Sequence, residues 1–374
     1  MRSPVFNITM NNKDISGFVE SFTYTDSTEK DNILKINIKD DLALLFLNDT
    51  DVNEGTELLF NYGYIGEQIS QTNKAIITDV ESSYDQNSIT VTVKALDKGH
   101  FIRKKTDAKV WKDKTTSEIA SEIADKHSLE KKIDSTSKKY PNLPQGNLSD
   151  FDFLNEIISK EDNFVFFVRN NTLHFQKRGL ESDSIITYEY GNSSVLMFKP
   201  KENSSNDSGL ASNVSLDSSN DLDKTSETVT VDVKTETNVV TTKQGINSIQ
   251  GKVIATVSGN KKLVKGTDDK EESEAISNST KKNSTLKKIT ADLTVEGNPL
   301  LKTNKIITVS NVADRHRGNW LITELIQNVS TSGFTTKCKL VARGSGDGTR
   351  NNSVGDSTTK NTKEVNRVYI NSDT

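Results

Sequence analysis

The residues best suited to chemistry sit mid-chain, where Asp150, Asp152, Glu156, Glu161 and Asp162 lie close together in the sequence. Two such carboxylates can hydrolyse a glycosidic bond, one protonating the leaving oxygen while the other attacks or activates water. Asp150 and Asp152 also fall where a helix should begin. There an acid satisfies free backbone N–H groups and complements the helix dipole, and capping is the stronger reading. The four histidines, His100, His127, His174 and His316, fall in separate elements. His127 ends a helical pattern, and His174 stands in a strand between Leu173 and Phe175, so structural roles fit them better than catalysis. No H-E-x-x-H occurs. Asp217, Asp221 and Asp223 could offer oxygen to calcium, but the glycine and terminal glutamate of an EF-hand loop are missing. Gly344-Ser345-Gly346-Asp347-Gly348 lacks the lysine of a phosphate-binding loop and reads as linker. Arg315-His316-Arg317-Gly318 is a basic turn: a solvated hairpin tip, or a contact for an acidic partner or channel lumen. No residue is therefore assigned as catalytic, cofactor-binding or metal-binding, and the chain is expected not to be an enzyme.

Composition narrows the classes further. The 374 residues carry 48 Lys and Arg against 52 Asp and Glu, a formal charge of −4. Nucleic acid and membrane surfaces are also negative, so non-specific binding to either is disfavoured. The single cysteine, Cys338, cannot form an intramolecular disulfide. The longest apolar run, Leu42 to Leu47, is too short to cross a bilayer, and the first residues lack a secretory apolar run. Synthesis and folding in the cytoplasm are expected. Only 32% of the residues are hydrophobic. Either part of the chain is unpacked or partner subunits complete its burial.

The elements that would position these residues follow from periodicity. Residues 1–100 read as strands: Leu34, Ile36 and Ile38 alternate, as do Ile89, Val91 and Val93, with Asp85-Gln86-Asn87-Ser88 as a turn. After Lys104 the period changes. Thr115-Thr116-Ser117-Glu118 is a capping box, and Ile119, Ile123 and Ala124 share the helical face behind it. Ser149-Asp150-Phe151-Asp152 opens a second helix, with Phe153, Leu154, Ile157 and Ile158 as its apolar stripe. A hairpin follows, Phe164–Val168 and Thr172–Phe175, around Asn170-Asn171, which tolerates the positive φ of a primed turn. Residues 201–230 read as polar loops joining short strands, and 234–268 as extended hairpins. Residues 268–288 read as a surface helix with acids first and lysines last, 293–342 as strands, and 344–374 as a flexible polar tail.

One self-similarity stands out. Lys74 to Ala95 aligns without a gap on Asn319 to Leu340. Ile77 matches Ile322, Thr78 matches Thr323, Asp79 matches Glu324, and Lys94 matches Lys339. The strands before them, Thr56–Phe60 and Thr303–Ile307, are expected to correspond too. A repeated β module in one chain lets a three-fold assembly present six similar modules, joining a three-fold object to a six-fold one.

The order of several segments resembles the phage late control D family of tail baseplate hub proteins. Ser117-Glu118-Ile119-Ala120-Ser121-Glu122-Ile123-Ala124-Asp125-Lys126-His127-Ser128-Leu129 comes first. Leu148-Ser149-Asp150-Phe151-Asp152-Phe153-Leu154-Asn155, then Asp162-Asn163-Phe164, then Asn171-Thr172-Leu173-His174-Phe175 follow. The last part carries Val295-Glu296-Gly297-Asn298-Pro299-Leu300-Leu301, Gly318-Asn319-Trp320-Leu321-Ile322-Thr323 and Gly333-Phe334-Thr335-Thr336. The resemblance spans about residues 1–343 and extends to the first part of type VI secretion spike proteins.

It implies an α+β, mainly β chain with two related antiparallel β-barrel (tube) domains and a small α/β domain between them. The expected division is 1–100, first barrel; 101–185, α/β domain; 186–343, second barrel with an excursion at about 234–290 packing near the α/β domain; 344–374, tail. It implies a homotrimeric structural hub of a phage tail, phage-tail-like bacteriocin or other contractile injection particle. The partners would be the tail tube or tube-initiator protein, the spike and other baseplate proteins. No OB-type barrel or β-helix follows residue 343, so the spike is expected on a separate chain. A tail-borne cell-wall hydrolase using the carboxylates near 150–162 is the alternative, or a receptor- or glycan-binding module using the aromatics of 151–175.

Overall fold

A computed structural model describes residues 2–49, 52–104, 108–202, 213–220, 225–232, 238–244, 251–257, 260–267 and 289–342. The first part holds β1 (Pro4–Met10), β2 (Lys13–Asp14), β3 (Val19–Ser27), β4 (Ile33–Ile38), α1 (Ala43–Asp49), β5 (Glu57–Tyr64), β6 (Asn73–Tyr84) and β7 (Ile89–Leu96). The middle holds β8 (Lys109–Thr115), α2 (Thr116–Lys126), β9 (Glu130–Ile133), β10 (Lys139–Gly146), α3 (Asp150–Ile158), β11 (Phe164–Arg169) and β12 (Thr172–Lys177). Then come β13 (Ser184–Glu189), β14 (Val195–Glu202), β15 (Asn213–Asn220), β16 (Thr225–Asp232), β17 (Asn238–Gln244), β18 (Gly251–Val257) and β19 (Asn260–Thr267). The last strands are β20 (Ile289–Glu296), β21 (Ile306–Ser310), β22 (Gly318–Ser330) and β23 (Phe334–Ala342).

The chain is α+β and mainly β, as expected. The two expected barrels are instead parts of one open 13-stranded sheet, ordered β14-β20-β23-β22-β3-β4-β7-β6-β5-β1-β2, with β21 on β22 and β13 on β21. The fusion lies in β22. Its first half pairs with β21, and its second half, Glu324–Ser330, pairs antiparallel with β3. Three further sheets stand apart in hydrogen bonding: β10-β8, β11-β12-β9 and β17-β16-β15-β18-β19.

Alternation produced the expected burial in β4 and β7, where Leu34, Ile36, Val91 and Val93 are all buried. The capping box forms: Thr115 Oγ1 accepts from the Glu118 amide at 3.1 Å, and Glu118 Oε2 accepts from the Thr115 amide at 2.8 Å. Asn170 and Asn171 take φ of 51° and 62° at the tip of the β11–β12 hairpin. Two expectations need correction. Residues 43–49 form a helix rather than a strand, because the unbroken run Ala43-Leu44-Leu45-Phe46-Leu47 has no period of two. It buries Ala43 and Phe46 and leaves Leu44 and Leu45 exposed. The middle unit is more than two helices and a hairpin: β8 and β10 form their own ladder, and β9 adds parallel to β12. The helix expected at 268–288 and the tail at 344–374 lie outside the described residues.

The repeat is deeper than the aligned hairpins. β6–β7 shifts register between Ile77 and Asp79, and β22–β23 shifts between Ile322 and Glu324, the matched positions. At each bulge the skipped threonine donates to a carbonyl across the ladder, Thr78 to Lys94 at 3.4 Å and Thr323 to Lys339 at 3.2 Å. A second pair of bulges also matches: Val19/Ser21 on β3 against β4, and Val195/Met197 on β14 against β20. The upstream strands correspond as expected but two residues out of the predicted register. Gly55 and Asn304 both take positive φ, at 88° and 60°, and both donate to the matched isoleucine, Ile77 O at 2.8 Å and Ile322 O at 2.8 Å. Glu57 therefore matches Ile306, not Asn304. One pairing breaks the repeat: β1 runs antiparallel to β5, while β13 runs parallel to β21.

Candidate functional site

The structure disperses the groups that could have done chemistry. Asp150 is buried and saturated: its Oδ2 accepts from Lys126 Nζ at 2.7 Å and sits 2.7 Å from His127 Nε2, and its Oδ1 accepts from Gln145 Nε2 at 2.7 Å. Burial opposes its ionisation, yet the hydrogen bonds from Lys126, Gln145 and His127 hold the carboxyl below the usual range. Nothing local in the sequence signals that His127 and Asp150 meet; together they staple the end of α2 to the start of α3. Ser149 caps α3, its Oγ accepting from the Asp152 amide at 3.0 Å and donating to Asp152 Oδ2 at 2.7 Å. Glu161 accepts from Thr116 Oγ1 at 2.5 Å, and burial pushes its carboxyl up. These are joints between helices, not a pair flanking a cleft.

The other candidates scatter. His100 Nδ1 lies 3.6 Å from Asp31. His174 stacks on Phe167 with ring centroids 4.5 Å apart, and burial lowers its imidazole to about 4. The basic turn is no free cationic patch: His316 and Arg315 reach Glu202 at 3.2 and 3.6 Å, and Arg317 reaches Asp314 at 3.4 Å. Cys338 is buried in the second core, and burial pushes its thiol up to about 12. Asp217 lies on β15; Asp221, Asp223 and residues 344–348 lie outside the described residues. Among the described residues, no three acidic, histidine or cysteine side chains cluster to hold a metal.

What the fold does assemble is a junction. Along β22·β3 the pairs run from Glu324·Ser27 to Ser330·Ser21. Val329 and Phe334 from the second half enter the aromatic core of the first, with Phe334 5.7 Å from Tyr62 and 5.4 Å from Tyr64. Gly297 makes room for that ring, since a Cβ there would stand 2.1 Å from it. At the end of the junction Asp26 holds a buried clip. Arg169 Nε donates to its Oδ1 at 3.1 Å and Nη2 lies 3.0 Å from Oδ2. Thr303 donates to it through its amide at 3.2 Å and its hydroxyl at 3.1 Å, and Arg169 also donates to the Thr303 hydroxyl. Three distant parts of the chain thus meet at one carboxylate. Its sequence signal was an acid on the buried face of β3, in phase with Phe22 and Tyr24.

Among the described residues, two of the sheet's open edges bear on the repeat. β14 pairs only with β20, and β6 beyond Ile77 pairs only with β7. An open, unpaired row of backbone groups recruits a partner strand. These edges are where the geometry could take a further strand.

This fold is shared with phage tail proteins. A 43 kDa tail protein of prophage MuSo2 from Shewanella oneidensis superposes with a TM-score of 0.65 at 13% identity, over 91% of this chain and 99% of that one. A tail protein from Neisseria meningitidis MC58 gives 0.62 at 11%, over 91% and 97%. An Escherichia coli component of the type VI secretion system, described as similar in structure to T4 tail proteins gp27 and gp5, gives 0.57 at 10%, over 89% and 76%. Residues 40–331 match the Alg8 N-terminal domain model, and the chain belongs to that family. No curated protein matches in sequence.

Proposed function

We propose that the chain is a non-enzymatic structural hub of a phage tail or a phage-tail-like contractile injection particle. It assembles as a homotrimer whose six related β modules form a pseudo-six-fold ring. The ring joins the six-fold tail tube or its initiator on one side to a three-fold spike on the other. Other baseplate proteins surround it, and the particle forms after synthesis in a bacterial cytoplasm. The division into 1–100, 101–185, 186–343 and 344–374 belongs to this reading, the first and third segments forming the ring.

The observation that carries it is the duplicated module, with two matched bulges and an internal junction where one module completes the sheet of the other. Two such modules in one subunit give six equivalent surfaces around a three-fold axis. The test is assembly. Co-expressed with tail-tube and spike proteins from the same genome, the chain should purify as three copies per complex and sit between tube and spike in electron micrographs. A chain that stays monomeric with those partners present overturns the reading. Clearing of peptidoglycan in a zymogram, lost in Asp152→Asn and Glu156→Gln, would overturn the non-enzymatic part.

A further inference from the structure

The repeat relates more than strands; it relates edges. Equivalent ladders match β3 to β14, β4 to β20, β6 to β22 and β7 to β23, with Phe22 on Phe198, Thr25 on Lys201 and Asp26 on Glu202. Inside the chain, the second half of β22 is covered by β3. Among the described residues the equivalent half of β6 is bare, and β14, the counterpart of β3, is bare on its outer edge. The chain holds one copy of the junction and the two unmatched halves of another.

We propose that the second half of β6 of one copy pairs antiparallel with β14 of a second copy, in the register of the internal β22·β3 junction. This rests on the ring assembly proposed above and specifies its contact. Transferring that register sets Val80 opposite Glu202, Glu81 opposite Lys201, Ser82 opposite Pro200, Ser83 opposite Lys199, Tyr84 opposite Phe198 and Asp85 opposite Met197.

The side chains support that register independently of the repeat. One face of the β6 edge carries Asp79, Glu81 and Asp85, and the matching face of β14 carries Lys199 and Lys201. Opposite charges directly across a ladder stabilise it, and like charges oppose it, so two β6 edges or two β14 edges are poor partners. On the other face Tyr84 is 62% exposed, whereas its counterpart Val329 is 1% exposed beneath the junction. Pairing brings Tyr84 over Phe198 as Val329 lies over Phe22. Leu196 and Met197 on β14 are exposed as well, at 57% and 45%.

The same logic explains Pro200. The Thr28 amide donates to Thr323 O at 3.1 Å, so by alternation Phe22, Tyr24 and Asp26 turn their N–H groups toward β22. Pro200 stands at the Tyr24 position and offers no N–H, so the pairing gives up one ladder hydrogen bond. A proline on a bare edge also discourages unrelated strands, leaving selection to the side chains. Because β6 meets β14 rather than itself, the contact is head-to-tail, the kind that closes into a ring.

In the internal junction Thr23·Asn328 is a non-hydrogen-bonded pair, with Thr23 Oγ1 donating to Asn328 Oδ1 at 3.1 Å. Its counterpart is Ser83·Lys199, at the close spacing of such pairs, which suits a disulfide. The full-length double variant Ser83→Cys/Lys199→Cys, oxidised after assembly, should run on a non-reducing gel as covalent dimers and closed trimers. Ser83→Cys/Glu202→Cys, out of register and on opposite faces, should not. In an equilibrium assay, Glu81→Lys and Lys201→Glu should each raise the half-association concentration roughly tenfold, and the double exchange should restore it. Trimers that form without the Ser83→Cys/Lys199→Cys cross-link, or that cross-link equally in the control pair, overturn the edge pairing and leave the hub reading standing. A chain that never associates, even with tube and spike present, overturns both.

Discussion

The two β modules differ most where they look most alike. Glu324 and Asp79 occupy matched positions after matched bulges, yet Glu324 is 9% exposed and Asp79 is open to solvent. Asp26 and Glu202 match as well. Asp26 is buried in a clip with Arg169 and Thr303, while Glu202 is held at the surface by His316 and Arg315. The backbone scaffold is the same in each case. What differs is whether another strand of the chain lies alongside. Burial here is a property of neighbours rather than of strands, and the low apolar content of the chain reads accordingly: it stocks one junction fully and leaves the halves of another exposed.

The sharpest way to break the comparison is at the matched acids. Asp26→Ala strands the Arg169 guanidinium in a buried site, which should cost about 3–5 kcal/mol in urea unfolding. Glu202→Ala removes only exposed ion pairs and should cost below about 1 kcal/mol. Equal losses would mean that the junction adds nothing. The isoleucines sharpen the likeness instead. Ile77 and Ile322 are both essentially fully buried at the start of their bulges. Ile77→Ala and Ile322→Ala should each lose about 2–5 kcal/mol and resemble one another.

The middle unit answers to pH rather than to the repeat. Burial first, then Arg169 and Lys132, hold His174 neutral down to about 4, against 6.5 for the free side chain. A histidine whose folded value is depressed contributes its full stability above 6.5, and that contribution drains away as pH falls from 6.5 toward 4. Melting temperature should fall across that window in the native chain, and His174→Phe, which keeps the stack on Phe167, should flatten the decline. Below it, Gly55 and Asn304 test the matched turns. Gly55 takes φ of 88° with nothing near a new Cβ, so Gly55→Ala should cost only the left-handed strain, about 1–2 kcal/mol. Asn304→Gly keeps the turn but leaves the Gly179 amide without Asn304 Oδ1, which accepts from it at 2.9 Å, so it should cost about 1–2 kcal/mol through that lost bond rather than through strain.

These contrasts also show what the sequence could carry. Signals that depend on neighbours in sequence came through: the Thr115–Glu118 box, the Asn170-Asn171 turn, and the alternation of β4 and β7. So did the paired hairpins, because each bulge falls at a fixed place between strands of fixed length. The register of β5 against β21 slipped by two because the loops that follow differ in length, and alternation alone is blind to an even shift. The parallel pairing of β13 has no local signature at all. The contacts of Asp26 with Arg169 and Thr303, and of Asp150 with His127, join residues remote in sequence. Asp26 alone gave a hint, as an acid in phase with buried aromatics.

The smallest effect tests the comparison most finely. Lys339 bonds Glu324 at 2.7 Å, and the carboxylate raises the ammonium above its usual range. Its counterpart Lys94 faces Asp79 across the same ladder position, but among the described residues it makes no ion pair. The difference traces to β3, which pairs alongside Glu324 and buries that carboxylate, while among the described residues no second strand lies alongside Asp79. Lys339→Ala should cost a few tenths of a kcal/mol to about 1 kcal/mol, and Lys94→Ala close to nothing in a monomer. If β14 of another copy lies over Asp79 as β3 lies over Glu324, the gap should narrow on assembly: Lys94→Ala should then weaken association while leaving the monomer's unfolding midpoint where it was. A Lys94 effect already present in the monomer would show that the two ladders differ for reasons other than their neighbours.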